Sequence, residues 1–380
     1  MPRAIPLLQE AHMKTALWAL GSLTVVLIAF MAFVFTQPRL ATGIAFGVNT
    51  APIEARLRDD FPPRTTDART EAITAAARAF IEALDAGQRG KATYAFTDNA
   101  QRSNWSNFPE GMIPRGGLKL GELGKGQRAL LDALLAEIMS PSGIRNLKWQ
   151  LAAERTFPTD HWFNKYGVDH YYVAILGKPS PTRPWMFQFG GHHLAINVTV
   201  YGADVTFSPM LTGGQPLHVD HEGRRTFIVE DEVNAAQALL ESLDEDQRAR
   251  AVRSDKAIDL LLGPGEYGAT VAREGVKGGD LSEAQRKLLV ALVRTRLGFI
   301  NDDDRAAKME TVMAEFDDTW FGWWGPRDAP GFAYFRISAP STVIEYAPQD
   351  TLAEAQVQGH AHSMYRDLKN DYGMAWIGAE

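Results

Sequence analysis

The chain of 380 residues contains no cysteine. That excludes disulfides, thiolate metal sites, iron–sulfur clusters, cysteine nucleophiles and a lipidated N-terminal Cys. It also contains no His-Glu-x-x-His, no Gly-x-Ser-x-Gly and no Walker A sequence. The usual signatures of zincins, α/β-hydrolases and P-loop NTPases are therefore missing. A Gly-x-Gly-x-x-Gly occurs at residues 263–268. It has no helix after it and no βαβ context, so it reads as a turn-rich loop. Positive charge is not in excess either. Lys and Arg number 39 against 46 Asp and Glu, a net charge of −7. Nucleic acid is not an expected partner, because its binding needs a basic face. What is present is ordinary globular composition, 45% hydrophobic and 22% charged, with length for two or three domains or one large one.

One long uncharged run occurs at residues 15–35. At about 1.5 Å per residue it would span about 31 Å, the thickness of a bilayer core. Trp18 lies near one end, where an aromatic ring prefers the interface. The run is longer than the roughly 7–15 residues of a cleavable signal core, and no A-x-A-like site follows. It reads as an uncleaved transmembrane signal anchor over residues 15–36, after a short tail over 1–14. A linker rich in Pro, Arg, Asp and Thr follows, over 37–66. Arg3 and Lys14 precede the span and Arg39, Arg56 and Arg58 follow it. These flanks decide little, so orientation rests on the usual outcome for an early anchor: a single-pass membrane protein whose C-terminal domain is extracytoplasmic, periplasmic or cell-surface.

The remainder is written twice. AARAFIEALDAGQRGKA at 76–92 matches AAQALLESLDEDQRARA at 235–251. RGGLKLGELGKGQRALLDALL at 115–135 matches REGVKGGDLSEAQRKLLVALV at 273–293. WMFQFGGHHLAIN at 185–197 matches AYFRISAPSTVIE at 333–345 less closely. The offsets are 159, 158 and 148 positions, and three collinear matches are hard to assign to chance. Each half reads helix, helix, strands. The expected fold is α+β and internally duplicated: two pseudo-symmetric halves, 67–228 and 229–380, around antiparallel sheet, both within one compact domain. Residues 192–201 read as a strand, with His192, Leu194, Ile196, Val198 and Val200 on one face and His193, Ala195, Asn197, Thr199 and Tyr201 on the other.

Chemistry concentrates in the histidines. The first cluster is Gly190-Gly191-His192-His193. On a strand the two imidazoles point to opposite faces, so one of them at most serves a given site. The second half has Ala339-Pro340-Ser341 there, so the pair is not a packing requirement of the repeat. The second cluster is His360-Ala361-His362, followed by Arg366-Asp367. Extended backbone puts both imidazoles on one face, suited to chelating Zn, Fe, Cu or Mn. Arg366 could grip an anionic group with its two-pronged guanidinium, and Asp367 could orient a histidine or complete a metal shell. His218-Val-Asp220-His221-Glu222 reads more readily as a solvated loop, and Arg336 with Glu345 as a buried ion pair.

Taken together, residues 187–199, the Leu-Asp-x-x-Gln-Arg-x-x-Ala stretches, Thr319-Trp-Phe and residues 360–373 resemble a bacterial family of domains of unknown function, numbered 3500. The resemblance covers about residues 70–376. In that family's pattern Trp precedes the Arg-Asp and Pro follows it; here Tyr365 and Leu368 stand there. The resemblance implies a fold unit and no reaction. The leading expectation is a metal site built from His193 or His192 with His360 and His362. Arg366 and Asp367 serve catalysis if the ion activates water or an oxidant, and a small molecule is the partner. The rival expectations are a non-catalytic module for metal or small ligand, and a structural envelope protein whose histidines only hydrogen-bond.

Overall fold

The computed structural model describes residues 31–33, 36–157, 165–349 and 359–379. The chain divides into two units, 1–50 and 51–380. In the first, Pro38–Phe46 is a helix. Proline fits its first turn, where the missing N–H needs no acceptor, and Gly47 ends it at φ 67°. The run expected to form the anchor lies outside the described residues except for 31–33. Among the described residues no helix is long and apolar enough to cross a membrane.

The second unit is α+β. Its first half contributes helices Ala68–Glu82 and Ala86–Ala92, then β1 (Thr93–Tyr94), β2 (Leu118–Lys119), helices Lys125–Ile138 and Pro141–Glu154, β3 (Tyr172–Leu176), β4 (Trp185–Gly191), β5 (Leu194–Tyr201), β6 (Asp204–Thr206) and β7 (Met210–Gly214). A separate hairpin, β8 (His218–His221) with β9 (Arg224–Phe227), follows. Its second half contributes helices Glu230–Ser242 and Glu245–Ala251, β10 (Val252–Ser254), β11 (Val276–Lys277), helices Glu283–Arg296 and Asp302–Ala314, β12 (Trp320–Trp324), β13 (Tyr334–Ser338), β14 (Thr342–Pro348) and β15 (Ala361–Asp367).

The main sheet runs β1-β3-β4-β5-β7-β15-β14-β13-β12-β10. Its order reads alike from either edge. β1 and β10 pair parallel with β3 and β12, and β2 and β11 pair antiparallel with the same two strands. The centre is the antiparallel pairing of β7 with β15. The sheet is therefore mixed rather than purely antiparallel.

The Leu-Asp-x-x-Gln-Arg stretches explain themselves locally. Asp85 caps its helix by accepting from the Gln88 N–H, and the Gln88 side chain accepts from the Asp85 N–H. Asp244 and Gln247 do the same. Such caps stabilise a helix start by about 1 kcal/mol. The Gln88 amide also reaches Gln127 at 3.1 Å, and Gln247 reaches Gln285 at 3.0 Å. Each pair ties one helix start to another.

Helices cover one face of the sheet. Phe187, Leu194, Ile196, Val198, Phe335 and Ile344 pack there with Phe80, Leu134, Leu239 and Leu289. Loops cover the other face, where Ile53, Trp105, Met186, Ala195, Leu211, Met364 and Tyr372 cluster. Burial on both faces makes every residue of β5 buried. Its polar stripe is therefore internal: Asn197 donates to the Pro209 carbonyl and Thr199 to that of Tyr372. Arg336 and Glu345 face each other across β13 and β14 but make no direct pair. Arg336 binds Glu274 at 3.0 Å, Glu345 accepts from Leu261 N–H, Leu262 N–H and the Tyr334 hydroxyl, and Tyr334 bridges the two.

Candidate metal centre

His192 and His193 are not strand residues. Gly190 pairs with Ala195 and Gly191 with Leu194, so the histidines form the two-residue turn between β4 and β5. His193 takes φ 60°, a left-handed conformation usually left to Gly or Asn that costs an ordinary residue about 1 kcal/mol or more. The strand expected at 192–201 begins at Leu194, and the opposite-face rule does not govern the pair. The preceding glycines make the turn possible. A Cβ on Gly190 would lie 2.4 Å from the Leu194 carbonyl oxygen, and one on Gly191 2.7 Å from the Tyr171 ring. Through that gap the Tyr171 hydroxyl donates to the His192 carbonyl at 2.6 Å.

β15 delivers the second cluster. His362 pairs with Gly213, whose bare Cα leaves room for the imidazole: a Cβ there would meet the ring at 3.3 Å. His360 lies just before the strand and its carbonyl accepts from the Gln349 N–H at 2.8 Å. The two rings share a side, as His-x-His in extended backbone should. The turn and the strand meet. His193 Nε2 is 2.8 Å from His360 Nε2, and His360 Nε2 is 3.3 Å from His362 Nε2. Residues 167 positions apart thus present three nitrogens to one point. Two nitrogens about 2.0–2.1 Å from a tetrahedral ion lie roughly 3.3 Å apart, so the spacing suits a shared cation.

His193 and His362 are buried and His360 half-buried. Burial, reinforced by the neighbouring imidazoles, holds His193 and His362 well below the usual histidine value. Burial also lowers His360, to about 4. All three are neutral at pH 7, the form in which imidazole binds metal.

His192 stands beside this group. Its ring lies against His193, centroids 3.6 Å apart, and its Nδ1 is 2.9 Å from Glu154 Oε2. Glu154 ends its helix and also accepts from the Gly167 N–H at 2.7 Å. Glu154, His192 and His193 form a second group whose donor atoms lie within 4.8 Å of one another. Three residues at this site carry no sequence signal. Glu154 is one. Gln150 is the second: with its amide turned to satisfy its neighbours, it donates to the His193 carbonyl at 3.2 Å. Asn107 is the third. Its carbonyl accepts from the His193 N–H at 3.3 Å, its side-chain amide lies 3.4 Å from His362 Nε2, and its Oδ1 is buried without a partner among the described residues.

The other expected residues are elsewhere. Arg366 is four residues along β15 from His362, about 13 Å at strand spacing. It donates to the Leu262 and Gly263 carbonyls, both at 2.8 Å, and pairs with Asp371. Three of its five N–H groups are thus engaged within the fold. Asp367 pairs with Lys308 at 2.8 Å and accepts from the N–H groups of Lys369 and Asn370. In the structure Arg366 clamps a loop and Asp367 closes a turn, and neither bonds to the three histidines. His218 stacks on Phe227 in the separate hairpin, and His221 lies in the same hairpin beside Glu222.

The fold and site define an α+β protein with a buried three-histidine cluster at the junction of two similarly ordered halves. Over residues 66–374 the chain matches the family described as Protein of unknown function (DUF3500), and it belongs to that family. No protein with a curated description and no solved structure matches it.

Proposed function

We propose that this chain is a metal-binding protein whose ion sits among His193, His360 and His362. The observation carrying this reading is the convergence of three neutral Nε2 atoms at 2.8 and 3.3 Å contacts. Three imidazoles with no carboxylate among them favour Zn, Cu or Fe over Mg or Ca. Three protein ligands also leave a fourth position, which catalytic zinc sites keep for water. The unpartnered Asn107 Oδ1 near His362 offers an acceptor for such a water, supporting water activation over a closed, non-catalytic shell.

Elemental analysis of the full chain after loading with Zn, Cu, Fe and Mn in turn is expected to find one ion per chain. A metal-free protein after every loading refutes the reading. Release should also depend on pH in a stated direction. Depressed values mean that between about pH 6.5 and 4 the unfolded chain takes up protons and the folded site resists them. The ion should stay bound at pH 6 and leave as the pH approaches 4. The folded metal-free protein should lose stability on the way down through the same window. Ion release at pH 6 counts against the site.

The proposal has two further parts. The run at 15–35 supports a single membrane anchor holding the folded unit outside the cytoplasm. Protease added to spheroplasts with an intact inner membrane should then cut the C-terminal unit, and protection there would reverse the orientation. The recurring order of elements supports an ancestral duplication, with matching offsets of 247 − 88 = 159 and 285 − 127 = 158 between the paired glutamines. In that event one copy's turn acquired His192 and His193, while the other kept Ala339-Pro340-Ser341.

A further inference from the structure

On the helix-covered side of the sheet, a cavity of about 970 Å³ opens between helices Pro141–Glu154, Glu230–Ser242 and Asp302–Ala314. It is distinct from the histidine centre, none of whose residues line it. Its size falls within the ~300–1,000 Å³ of small-molecule sites. Glu232 lies on its wall, buried, at the start of its helix. The Ser363 hydroxyl donates to Glu232 Oε1 at 2.6 Å, and Oε2 accepts nothing among the described residues. The molecule's other buried carboxylates are better served. Glu345 accepts three hydrogen bonds and Glu154 two. Oε2 therefore remains free to accept from a molecule in the cavity, which Glu232 lines.

The rest of the lining narrows the occupant. Arg296 lies close enough to Glu232 to draw its pKa down against the rise that burial causes. Its Nη1 donates to Thr212 Oγ1 and its Nη2 to the carbonyls of Met210 and Ser363, while Nε has no partner among the described residues. Arg296 thus offsets the Glu232 charge, and the rest of the lining sets Arg145, Arg294 and Arg305 against Asp231, Asp302 and Glu310, a balance that favours an uncharged ligand. Trp149 presents a partly buried indole to the cavity. Asn234, Arg145 and Arg294 stand along it with no hydrogen bond or ion pair among the described residues. An aromatic face beside planar amide, guanidinium and carboxylate groups matches a neutral polyhydroxy ring. The C–H faces of such a ring stack on an aromatic surface while its hydroxyls both donate and accept.

We propose that this cavity binds a neutral carbohydrate of two or three rings, with a sugar hydroxyl donating to Glu232 Oε2 and a ring face lying on Trp149. The test is calorimetric titration of the full chain with maltotriose, cellobiose and diacetylchitobiose, each to 20 mM. At least one should bind saturably. Trp149→Ala and Glu232→Gln should each weaken that binding at least tenfold, and His362→Ala should leave it unchanged. Should Glu232→Gln fail to fold, the half-buried Trp149 position decides alone. The proposal falls if none of the three sugars binds, if binding survives Trp149→Ala, or if phenethylamine binds there and the sugars do not.

Discussion

His362→Ala is expected to abolish metal retention while leaving a folded protein. Structural sites with four ligands release about 10–16 kcal/mol on binding zinc, so one ligand supplies about 3–4 kcal/mol, or roughly 10²–10³ in affinity. His362 has no substitute nearby, since Asn107 is an amide and His192 is held by Glu154. Dialysis against a competing chelator, followed by elemental analysis, reads the loss directly. His218→Ala, in the separate hairpin, provides the control and should keep full occupancy. Equal retention by His362→Ala and the parent would mean that the three nitrogens do not share an ion.

The second large effect belongs to Arg366. Arg366→Met should destabilise the fold by about 3–5 kcal/mol, the cost of leaving a buried charge without its partner. The charge stranded is Asp371, whose side chain has only the Ser208 hydroxyl besides Arg366 among the described residues. The carbonyls of Leu262 and Gly263 lose their donors at the same time. Urea unfolding should show a lower midpoint with metal affinity of the folded protein unchanged. A stable variant that fails to act on substrate would instead restore the gripping role read from the sequence.

The contrast between these two residues shows what was legible. His-x-His in extended backbone has a fixed consequence, two imidazoles on one side, and the structure shows it. Gln88 and Gln247 were visible as a repeated motif, because capping is local and spans three residues. The His192-His193 turn was misread because the glycines before it continue an apparent strand. Two-residue hairpin loops normally announce themselves with Asn-Gly or Gly at the left-handed position, and here His193 occupies it. The setting of Arg366 was only partly legible: its pairing with Asp371 is five residues away, but the Leu262 and Gly263 carbonyls it also grips lie about 100 positions off, which no side-chain pattern records. Glu154, Gln150 and Asn107 reach the site only through tertiary packing.

The order in which the strands are made differs from the order in which they lie. β15 is the last strand along the chain, yet it sits in the middle of the sheet between β7 and β14. A ribosome has therefore released both halves before anything can join them. Until then each half carries a bare inner edge of unpaired N–H and C=O groups, open to any other strand that offers itself. A chain broken before His360 would lack the seam itself and both histidines that the later half contributes to the candidate metal centre. The central strand thus makes completion of synthesis a condition for joining the two halves of the sheet and for bringing His360 and His362 to His193.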